Sequence, residues 1–290
     1  MSCATLYVVA TPIGNLNDIS PRVKETLEKA DLVAAEDTRV AMKLLSHLGL
    51  SKPTISCHRH NEDTRSDVII DRMLEEGITV ALTCDAGTPG ISDPGEGLVA
   101  ACWDAGIPVI PVSGPSAMIT ALSASGFDTR EFAFYGFLPR ENKDLKAALS
   151  RILKIGINIA VLHESPHRIC ELLDRIAETL PGSRVCVCCD LTKKYERIDR
   201  GDSAEVAAKL ASTPNAEKGE YCVVLDLSGV EKPQEEATAA DLTTEQQLLQ
   251  LLLEGNGMRE ACDILKDRGI KRNEIYRAKL AITNLAEELD

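Results

Sequence analysis

The sequence contains no apolar run near the roughly 18 to 20 residues that a membrane-spanning helix needs, which excludes a helical membrane protein. It also lacks a basic leader. The N-terminal apolar run is short and ends at Pro12 and Gly14, so we expect a first core strand there and not a signal peptide. Neither G-x-G-x-x-G nor G-x-x-x-x-G-K-[ST] is present. A standard dinucleotide or triphosphate site is therefore not expected.

Positive charge is scarce in this chain. Its 290 residues carry 32 Lys and Arg against 45 Asp and Glu, which gives a net charge of -13. Because phosphate contacts need Lys and Arg, this balance argues against a nucleic-acid partner unless basic residues are concentrated locally. A small cationic ligand is not disfavoured. The hydrophobic and charged fractions, 44% and 27%, are ordinary for a soluble globular protein.

The ten cysteines are scattered, and several fall in strand-like segments. A chain of this length can bury a full core without disulfides, so we expect buried thiols and a cytoplasmic location. Cys186, Cys188 and Cys189 could instead bind a metal. Alternation along a strand would point Cys186 and Cys188 to one face and Cys189 to the other, which favours apolar packing.

Hydrophobic periodicity predicts an α/β protein with two α/β domains and a small C-terminal helical unit. Over residues 1–127, strand-like and helix-like runs alternate, which predicts a mainly parallel sheet with helices on both faces. Residues 128–229 predict a second α/β domain with a more mixed sheet. A polar linker over 230–242 and short helices of a helix-turn-helix type over 243–290 complete the chain.

The segment TCDAGTPGISDPG, residues 83–95, holds three Gly, two Pro and two Asp directly after an apolar run. Ligands of open α/β sheets lie outside the carboxyl ends of the strands, and Asp85 at such an end suits a hydroxyl pair or a cation. Similar turns, TPIGNLNDIS and PVSGPSAMITA, follow two other strand-like runs, so these loops could meet at one sheet edge. A long structural loop is the alternative interpretation.

Polar and charged residues gather at other strand ends. His58 and His60 follow the third strand-like run, but an H-x-H pair without a second cluster is weak evidence for a metal. We therefore prefer polar site residues there and expect no metal. A basic run is more often a solvated face than a site. The remaining groups are AEDTR, with Asp37 and Arg39; HESPHR, residues 163–168; and DLTKKYER, with Lys193 and Lys194.

The ordered combination of these motifs is far more specific than any one of them. The motifs, in chain order, are TPIGNLNDIS, AEDTR, HRHNE, DAGTPGISDPG, GPSA, GFLP, ESPHR, LTK and KGE. Together they closely resemble the tetrapyrrole-methylase-like (class III) family of S-adenosylmethionine-dependent methyltransferases, and within it the branch that methylates small-subunit ribosomal RNA. The resemblance covers nearly the whole chain. It implies 2′-O-methylation of a decoding-site cytidine and a homodimer.

The resemblance also implies that S-adenosylmethionine lies folded in the cleft between the two α/β domains. The implied cofactor contacts are Ile13, Asp85, Gly87, Thr88, Ser116 and Ala117 from the first domain, and Glu164, Ser165, Asp190, Leu191 and Gly219 from the second. Four positions depart from the usual family pattern: Cys84 for Ser, Ser113 for Pro, His163 for Tyr and Asp190 for Glu.

Methyl transfer from a sulfonium to a ribose hydroxyl is an in-line displacement that needs neither a metal nor a covalent intermediate. It does need the acceptor oxygen to be oriented behind the methyl group. Because a ribose hydroxyl is a weak acid, a general base or a nearby cation should help. The candidates are Asp37, His60 and Lys193, and the sequence does not choose among them.

An acid-rich chain that binds RNA needs a local basic patch. Between Gly257 and Leu280 there are seven basic residues and four acidic ones. We expect this helical unit, through residues such as Lys271 and Arg272, to bind rRNA or the assembled small subunit, with Arg39 and Lys194 as further contacts. The alternative is that the unit only packs a dimer.

Two rival functions stay open. One is a methyltransferase that acts on a corrinoid or another tetrapyrrole, against which TPIGNL, AEDTR and the C-terminal helices weigh. The other is a non-catalytic ribosome-binding protein that has lost its cofactor. Titration with S-adenosylmethionine separates them, because only the non-catalytic protein would fail to bind it.

Overall fold

The computed structural model describes residues 4–231 and 242–289, with side chains as far as residue 284. These residues fall into two compact units, one on either side of residue 231. The predicted linker over 230–242 lies almost entirely outside the described residues. The limits of the two α/β domains, at residues 127 and 229, stay predictions. Among the described helices, none is both long enough and apolar enough to cross a membrane.

The first sheet consists of five parallel strands, as predicted. They are β1 (Thr5–Val9), β2 (Leu32–Ala35), β3 (Thr54–Ser56), β4 (Thr79–Thr83) and β5 (Val109–Val112). They lie in the order β3-β2-β4-β1-β5. Every residue of β2 is buried, which is typical of a strand covered on both faces. Because the strands are parallel, the loops that follow them emerge at one edge of the sheet.

Four helices cover the two faces of this sheet. They are α1 (Pro21–Lys29), α2 (Thr38–His47), α3 (Glu62–Glu76) and α4 (Glu96–Asp104). One core, around Ile69 and Leu98, lies between the sheet and α3 and α4. The other, around Leu27 and Leu45, lies between the sheet and α1 and α2. Helices on both faces confirm the fold that the alternating pattern predicts.

The second sheet is mixed, as predicted. Its strands are β6 (Ala133–Phe137), β7 (Ile159–Glu164), β8 (Arg184–Cys189), β9 (Arg197–Asp202) and β10 (Tyr221–Asp226), in the order β6-β7-β10-β8-β9. Only β6 and β7 are parallel; the other neighbours are antiparallel. The antiparallel strands β8 and β9 lie in the segments RVCVCCDL and YERIDRG.

Helices cover both faces of the second sheet as well. On one face lie α6 (Asn142–Ile155), α7 (Ile169–Thr179) and α8 (Ser203–Ala211), which share a large apolar core with the sheet. On the other face lies α5 (Ala117–Ser125), through Ala121 and Leu122. The pattern did not predict α8. Helix α5 follows β5 of the first sheet in sequence but packs against β7, β8 and β10 of the second, so it links the two sheets.

The cysteines are mostly buried, and the nine described ones are all free thiols. Cys186 and Cys188 face the α5 side of the second sheet, whereas Cys189 faces the α6–α8 side, as strand alternation predicts. No cluster of His, Cys, Asp or Glu among the described residues could hold a metal ion. Burial raises the pKa of Cys84 and of Cys222 to about 12, as expected for thiols in apolar surroundings.

The described part of the C-terminal unit contains three helices. They are α9 (Thr244–Leu253), α10 (Met258–Asp267) and α11 (Arg272–Leu289), and they bury a core that includes Leu248 and Leu265. Helix α9 begins with a capping box, in which Thr243 and Gln246 each accept the other's backbone N–H. All seven basic residues that the sequence places between Gly257 and Leu280 are exposed.

Replacing Ile69 by Ala should lower the free energy of unfolding by about 2–5 kcal/mol, because removal of a buried aliphatic side chain leaves a cavity. Ile69 is fully buried against the first sheet. The preceding residue on α3, Val68, is 43% exposed, so Val68→Ala should cost less than about 1 kcal/mol. Urea unfolding followed by circular dichroism measures both. Equal losses of unfolding free energy in the two variants would contradict the assignment of Ile69 to the buried face of α3 and of Val68 to its exposed face.

Candidate functional site

The loops after β1 and β4 lie side by side at the carboxyl edge of the first sheet. The N–H of Thr11 donates to the carbonyl of Gly87 at 2.8 Å, and the N–H of Gly87 donates back to the carbonyl of Thr11 at 3.1 Å. The hydroxyl of Thr11 also donates to the carbonyl of Cys84. Gly87 has a φ of +90°, which other residues adopt only with strain. The two Gly/Pro loops therefore meet at one edge, as the sequence suggests.

A buried carboxylate holds the end of the loop after β4. Glu62, in the first turn of α3, is 7% exposed. Its Oε1 accepts the backbone N–H groups of Gly95, Gly97 and Leu98 at 2.9, 2.8 and 3.3 Å. These N–H groups lie at the start of α4, where a helix has no internal acceptors and its dipole favours an anion. Glu62 thereby joins α3 to α4 and fixes residues 84–95.

A cavity of about 340 Å³ lies between these loops and the second sheet. Its first-sheet wall consists of Ile13, Ala86, Gly87, Thr88, Ile91, Ser92 and Asp93. The start of α5 adds Ser116, Ala117 and Met118. The second-sheet wall consists of Phe134, Phe137, His163, Glu164, Ser165, Pro166, Leu191, Glu220, Tyr221 and Cys222. The loops after strands of both sheets thus face each other across one space.

Most of the residues that the resemblance implies as cofactor contacts line this cavity. Those that do are Ile13, Gly87, Thr88, Ser116, Ala117, Glu164, Ser165 and Leu191. Those that do not are Asp85, Asp190 and Gly219. The lining also includes residues that were not among the implied cofactor contacts, although they belong to the quoted motifs. Examples are Asp93 in DAGTPGISDPG and Phe137 in GFLP. The motif locates the wall, but only the backbone path decides which of its side chains face inward.

Asp85 is exposed and lies in a group of acids beside the cavity. Its Oδ1 accepts the backbone N–H of Asp37 at 3.2 Å, and its own N–H lies 3.4 Å from Oε2 of Glu36. Burial raises the pKa of Asp85, of Glu36 and of the cavity-lining Asp93. Asp93 is the carboxylate of this loop that the cavity contacts.

Glu164 lines the cavity, but its side chain is completely buried. Its Oε1 accepts the N–H and the hydroxyl of Ser165 at 2.7 and 3.2 Å. Its Oε2 lies 3.4 Å from the guanidinium of Arg168, which also donates to the carbonyl of Pro139. The Glu164 carboxylate therefore holds the ESPHR turn in place.

Asp190 and Gly219, which are not among the lining residues, lie where two turns of the second sheet touch. A Cβ on Gly219 would lie only 2.8 Å from Oδ2 of Asp190, and Asp190 itself has a φ of +52°. Asp190 binds Lys193 at 3.0 Å, and Glu220 binds the same Nζ at 3.1 Å. Burial alone would lower the pKa of Lys193, but these two ion pairs outweigh it and raise that pKa.

The side chain of Lys193 reaches the loop after β1. A Cβ on Gly14 would lie 2.5 Å from Cγ of Lys193, so only glycine leaves room for this lysine. Asp37 lies outside the cavity lining and is paired with Arg39 at 2.6 Å. Its hydrogen bonds with Arg39 lower its pKa to about 2. His60 is exposed and also lies outside the lining. The structure therefore does not bring the three candidate catalytic residues together inside the cavity.

None of the four residues predicted to bind RNA is among the cavity-lining residues. Arg39 is exposed and bonded to Asp37. Lys194 is exposed, with its Nζ 5.3 Å from the ring centroid of Tyr195. Lys271 and Arg272 are exposed at the start of α11 in the C-terminal unit.

His163 lies in the cavity wall between two aromatic rings. Its ring centroid is 5.1 Å from that of Phe134 and 5.8 Å from that of Phe137, both edge to face. Burial lowers the pKa of His163, so the imidazole is neutral at physiological pH. Its Nε2 is buried and has no hydrogen-bond partner among the described residues.

Comparison with known proteins identifies the fold. A model of the family described as tetrapyrrole (corrin/porphyrin) methylases matches residues 5–207. The chain belongs to the tetrapyrrole methylase family. This confirms the resemblance that the ordered motifs carry. The match covers the first sheet, strands β6 to β9 of the second sheet and the beginning of α8, but not β10. It includes the cavity-lining residues except Glu220, Tyr221 and Cys222.

Two solved structures share the fold of this tetrapyrrole methylase. The methyltransferase CobJ matches with a TM-score of 0.57 at 17% identity, over 78% of this chain and 95% of that one. Uroporphyrin-III-C-methyltransferase from Thermus thermophilus matches with a TM-score of 0.51 at 20% identity, over 76% of this chain and 94% of that one. At such identities the likeness concerns the fold alone.

Curated relatives are much more similar and extend over the C-terminal helices. The proteins named ribosomal RNA small subunit methyltransferase I share 39% identity in Vibrio cholerae, over 97% of this chain and 96% of the relative. The relative of that name in Halalkalibacterium halodurans is 41% identical, over 94% of this chain and 93% of the relative. The relative in Escherichia coli O157:H7 is 40% identical, over 95% of this chain and 94% of the relative.

Replacing Glu62 by Ala should destabilise this tetrapyrrole methylase by about 2–4 kcal/mol, because three backbone N–H groups lose a charged acceptor. The next residue, Asp63, is an exposed acid in the same helical turn. Asp63→Ala should therefore cost less than about 1 kcal/mol. Urea unfolding gives the two free energies. If Glu62→Ala were as mild as Asp63→Ala, the Glu62 carboxylate would not hold the loop.

Proposed function

We propose that this protein is an S-adenosylmethionine-dependent methyltransferase that methylates the ribose 2′-hydroxyl of a decoding-site cytidine in small-subunit ribosomal RNA. The observation that carries the proposal is the set of relatives named ribosomal RNA small subunit methyltransferase I, at about 40% identity over nearly the whole length of both chains. Because these matches include the C-terminal helices, they support the whole protein's activity and not only the shared fold. The substrate is the rRNA or the assembled small subunit.

The chemistry of the cavity fits a sulfonium cofactor. No Lys or Arg is among its lining residues, whereas three acids are: Asp93, Glu164 and Glu220. Glu164 is paired with Arg168 and Glu220 with Lys193, so Asp93 is the lining acid that has no ion pair among the described residues. Ile13, Met118 and Leu191 supply apolar surface, and Ser116 supplies a hydroxyl. A volume of about 340 Å³ is within the range of small-molecule sites. An acidic, partly apolar cavity favours a cationic ligand over a phosphate-bearing one.

The bound cofactor would supply a methyl group on a sulfonium, open to in-line attack by a ribose oxygen. The protein's main task is then to orient that oxygen. We assign Lys193 an electrostatic role, because its ion pairs with Asp190 and Glu220 keep it protonated. A protonated amine beside the cavity can stabilise an oxyanion but cannot accept a proton. Asp37, with a pKa of about 2, is a weak base.

We further propose that the C-terminal unit binds the RNA. Its seven basic residues between Gly257 and Leu280 are exposed, and phosphate contacts require such cations. The rest of the chain is acid-rich, so this local concentration of positive charge is the main source of RNA affinity in the proposal, with Arg39 and Lys194 as further contacts. A homodimer in the cytoplasm completes the proposal, and it follows from the family resemblance.

Labelled methyl transfer tests the function directly. Unmethylated small subunits, free rRNA and tetrapyrroles are offered in parallel with labelled S-adenosylmethionine. We expect label in the 2′-O-methyl group of one cytidine from the subunits or the rRNA, and none in the tetrapyrroles. Transfer to the tetrapyrrole alone would favour the corrinoid or tetrapyrrole methyltransferase. Failure to bind S-adenosylmethionine would favour the non-catalytic ribosome-binding protein.

Two acids of the same loop test where the cofactor lies. Asp93→Asn should weaken S-adenosylmethionine binding by at least about tenfold, because Asp93 lines the acidic cavity and a charged contact is worth about 1.5–3 kcal/mol. Asp85→Asn should change the affinity by less than about threefold, because Asp85 lies outside the lining. Isothermal titration calorimetry measures both. A larger loss in Asp85→Asn would support the contact that the resemblance implies over the one that the cavity geometry favours.

A further inference from the structure

An irregularity in β6 turns a phenylalanine towards the cavity. Phe134 pairs with Val161 of β7, but Gly136, not Tyr135, pairs with Leu162, so Tyr135 is an extra residue in the ladder. Gly136 has a φ of +61°. In a regular strand, residues three apart lie on opposite faces. The bulge reverses this alternation, and bulges commonly re-aim side chains beside active sites.

Because of this bulge, Phe134 and Phe137 lie on the same face of the second sheet. Both rings pack edge to face with the His163 ring, and both line the cavity. They differ in exposure. Phe134 is packed against the buried α5 side of the sheet, whereas Phe137 is 62% exposed. The Phe134 ring is thus part of the packed cavity wall. The Phe137 ring lies at the mouth of the cavity with much of its surface in solvent.

Beside this mouth, Arg59 partly offsets the negative charge of Glu36 and Asp93. A Cβ on Gly136 would lie 3.3 Å from Oγ of Ser92, so the two walls come together beside Phe137. The exposed Arg59 donates from Nη2 to the carbonyl of Ser92 at 2.9 Å, which uses one of the five N–H groups of its guanidinium. Arg140, three residues after Phe137, is exposed as well. An exposed aromatic ring near an arginine is a combination that single-stranded nucleic acid favours.

We propose that Phe137 is a stacking platform for a nucleobase of the RNA substrate, at or next to the nucleotide that is methylated, with Arg59 placed for a phosphate. An enzyme that acts on one nucleotide has to take it out of the surrounding stack, and aromatic side chains replace the lost stacking. The ring then orients the ribose towards the cavity. This inference rests on the proposed RNA methylation and adds to it a residue that positions the acceptor.

The test compares Phe137→Ala and Phe137→Trp with Trp103→Ala. Trp103 lies on α4, is 65% exposed and does not line the cavity, so it is a matched exposed aromatic residue. We expect Phe137→Ala to lower kcat/KM for unmethylated small subunits by about 5- to 150-fold, the range for loss of one base–aromatic stack. The S-adenosylmethionine Kd should stay within about twofold. Phe137→Trp should retain activity, because it keeps the ring, and Trp103→Ala should match the wild type.

Stacking also has a direct signal. Trp103 is the only tryptophan in the chain, so the double variant Trp103→Phe/Phe137→Trp carries a single indole at the mouth of the cavity. Its fluorescence should be quenched by an rRNA fragment that contains the acceptor cytidine. The same fragment with an abasic ribose at the stacked position should bind more weakly and quench less, although it keeps every phosphate.

Three results would overturn the platform. The first is a Phe137→Ala enzyme with wild-type kcat/KM. The second is a Phe137→Ala enzyme whose S-adenosylmethionine Kd rises as much as its kcat/KM falls, which would assign the ring to the cofactor wall. The third is a change of oligomeric state in sedimentation, which would assign it to a contact between two copies. Failure of the proposed function is visible separately, because the wild type would then methylate neither subunits nor rRNA, and the platform would fall with it.

Discussion

One buried carboxylate fixes the edge of the first sheet on which the candidate site depends. Glu62 accepts three backbone N–H groups at the start of α4, although it belongs to α3. A helix start leaves such groups without internal partners, and a local cap serves one or two of them. Gly97 permits the close approach, because a Cβ there would lie 3.1 Å from Oε1 of Glu62. The hydrogen bonds of Glu62 also fix the end of the loop after β4, which lines the cavity. The packing of α3 against α4 and the shape of the cavity therefore depend on the same carboxylate.

Much of the fold follows from the sequence, because its signals are local. Alternating apolar runs and Gly/Pro turns predict the parallel first sheet, and strand alternation predicts the opposite faces of Cys188 and Cys189. The segment that forms α8 (Ser203–Ala211) follows β9 directly, with Asp202 as the last strand residue and also the helix cap. Without a turn between them, the periodicity does not separate the two elements.

The site is less predictable than the fold, because side-chain direction depends on contacts between distant residues. Motifs locate the cavity walls, but Asp85 and Asp93 occur in one loop and only the second lines the cavity. Glu164 lies in the predicted wall, but its carboxylate accepts the N–H of Ser165 and pairs with Arg168. The role of Glu62 is invisible in sequence, since its partners lie more than 30 residues away.

The buried thiols have a consequence for how the opening of this protein can be followed. The thiolate is the reactive form of cysteine, and burial raises the pKa of Cys84 and Cys222 to about 12. These residues therefore react with alkylating reagents only when the structure around them opens. One lies at the end of the first sheet and the other in the second. The order in which the two become alkylated under mild denaturation reports which sheet separates first, and it needs no introduced label.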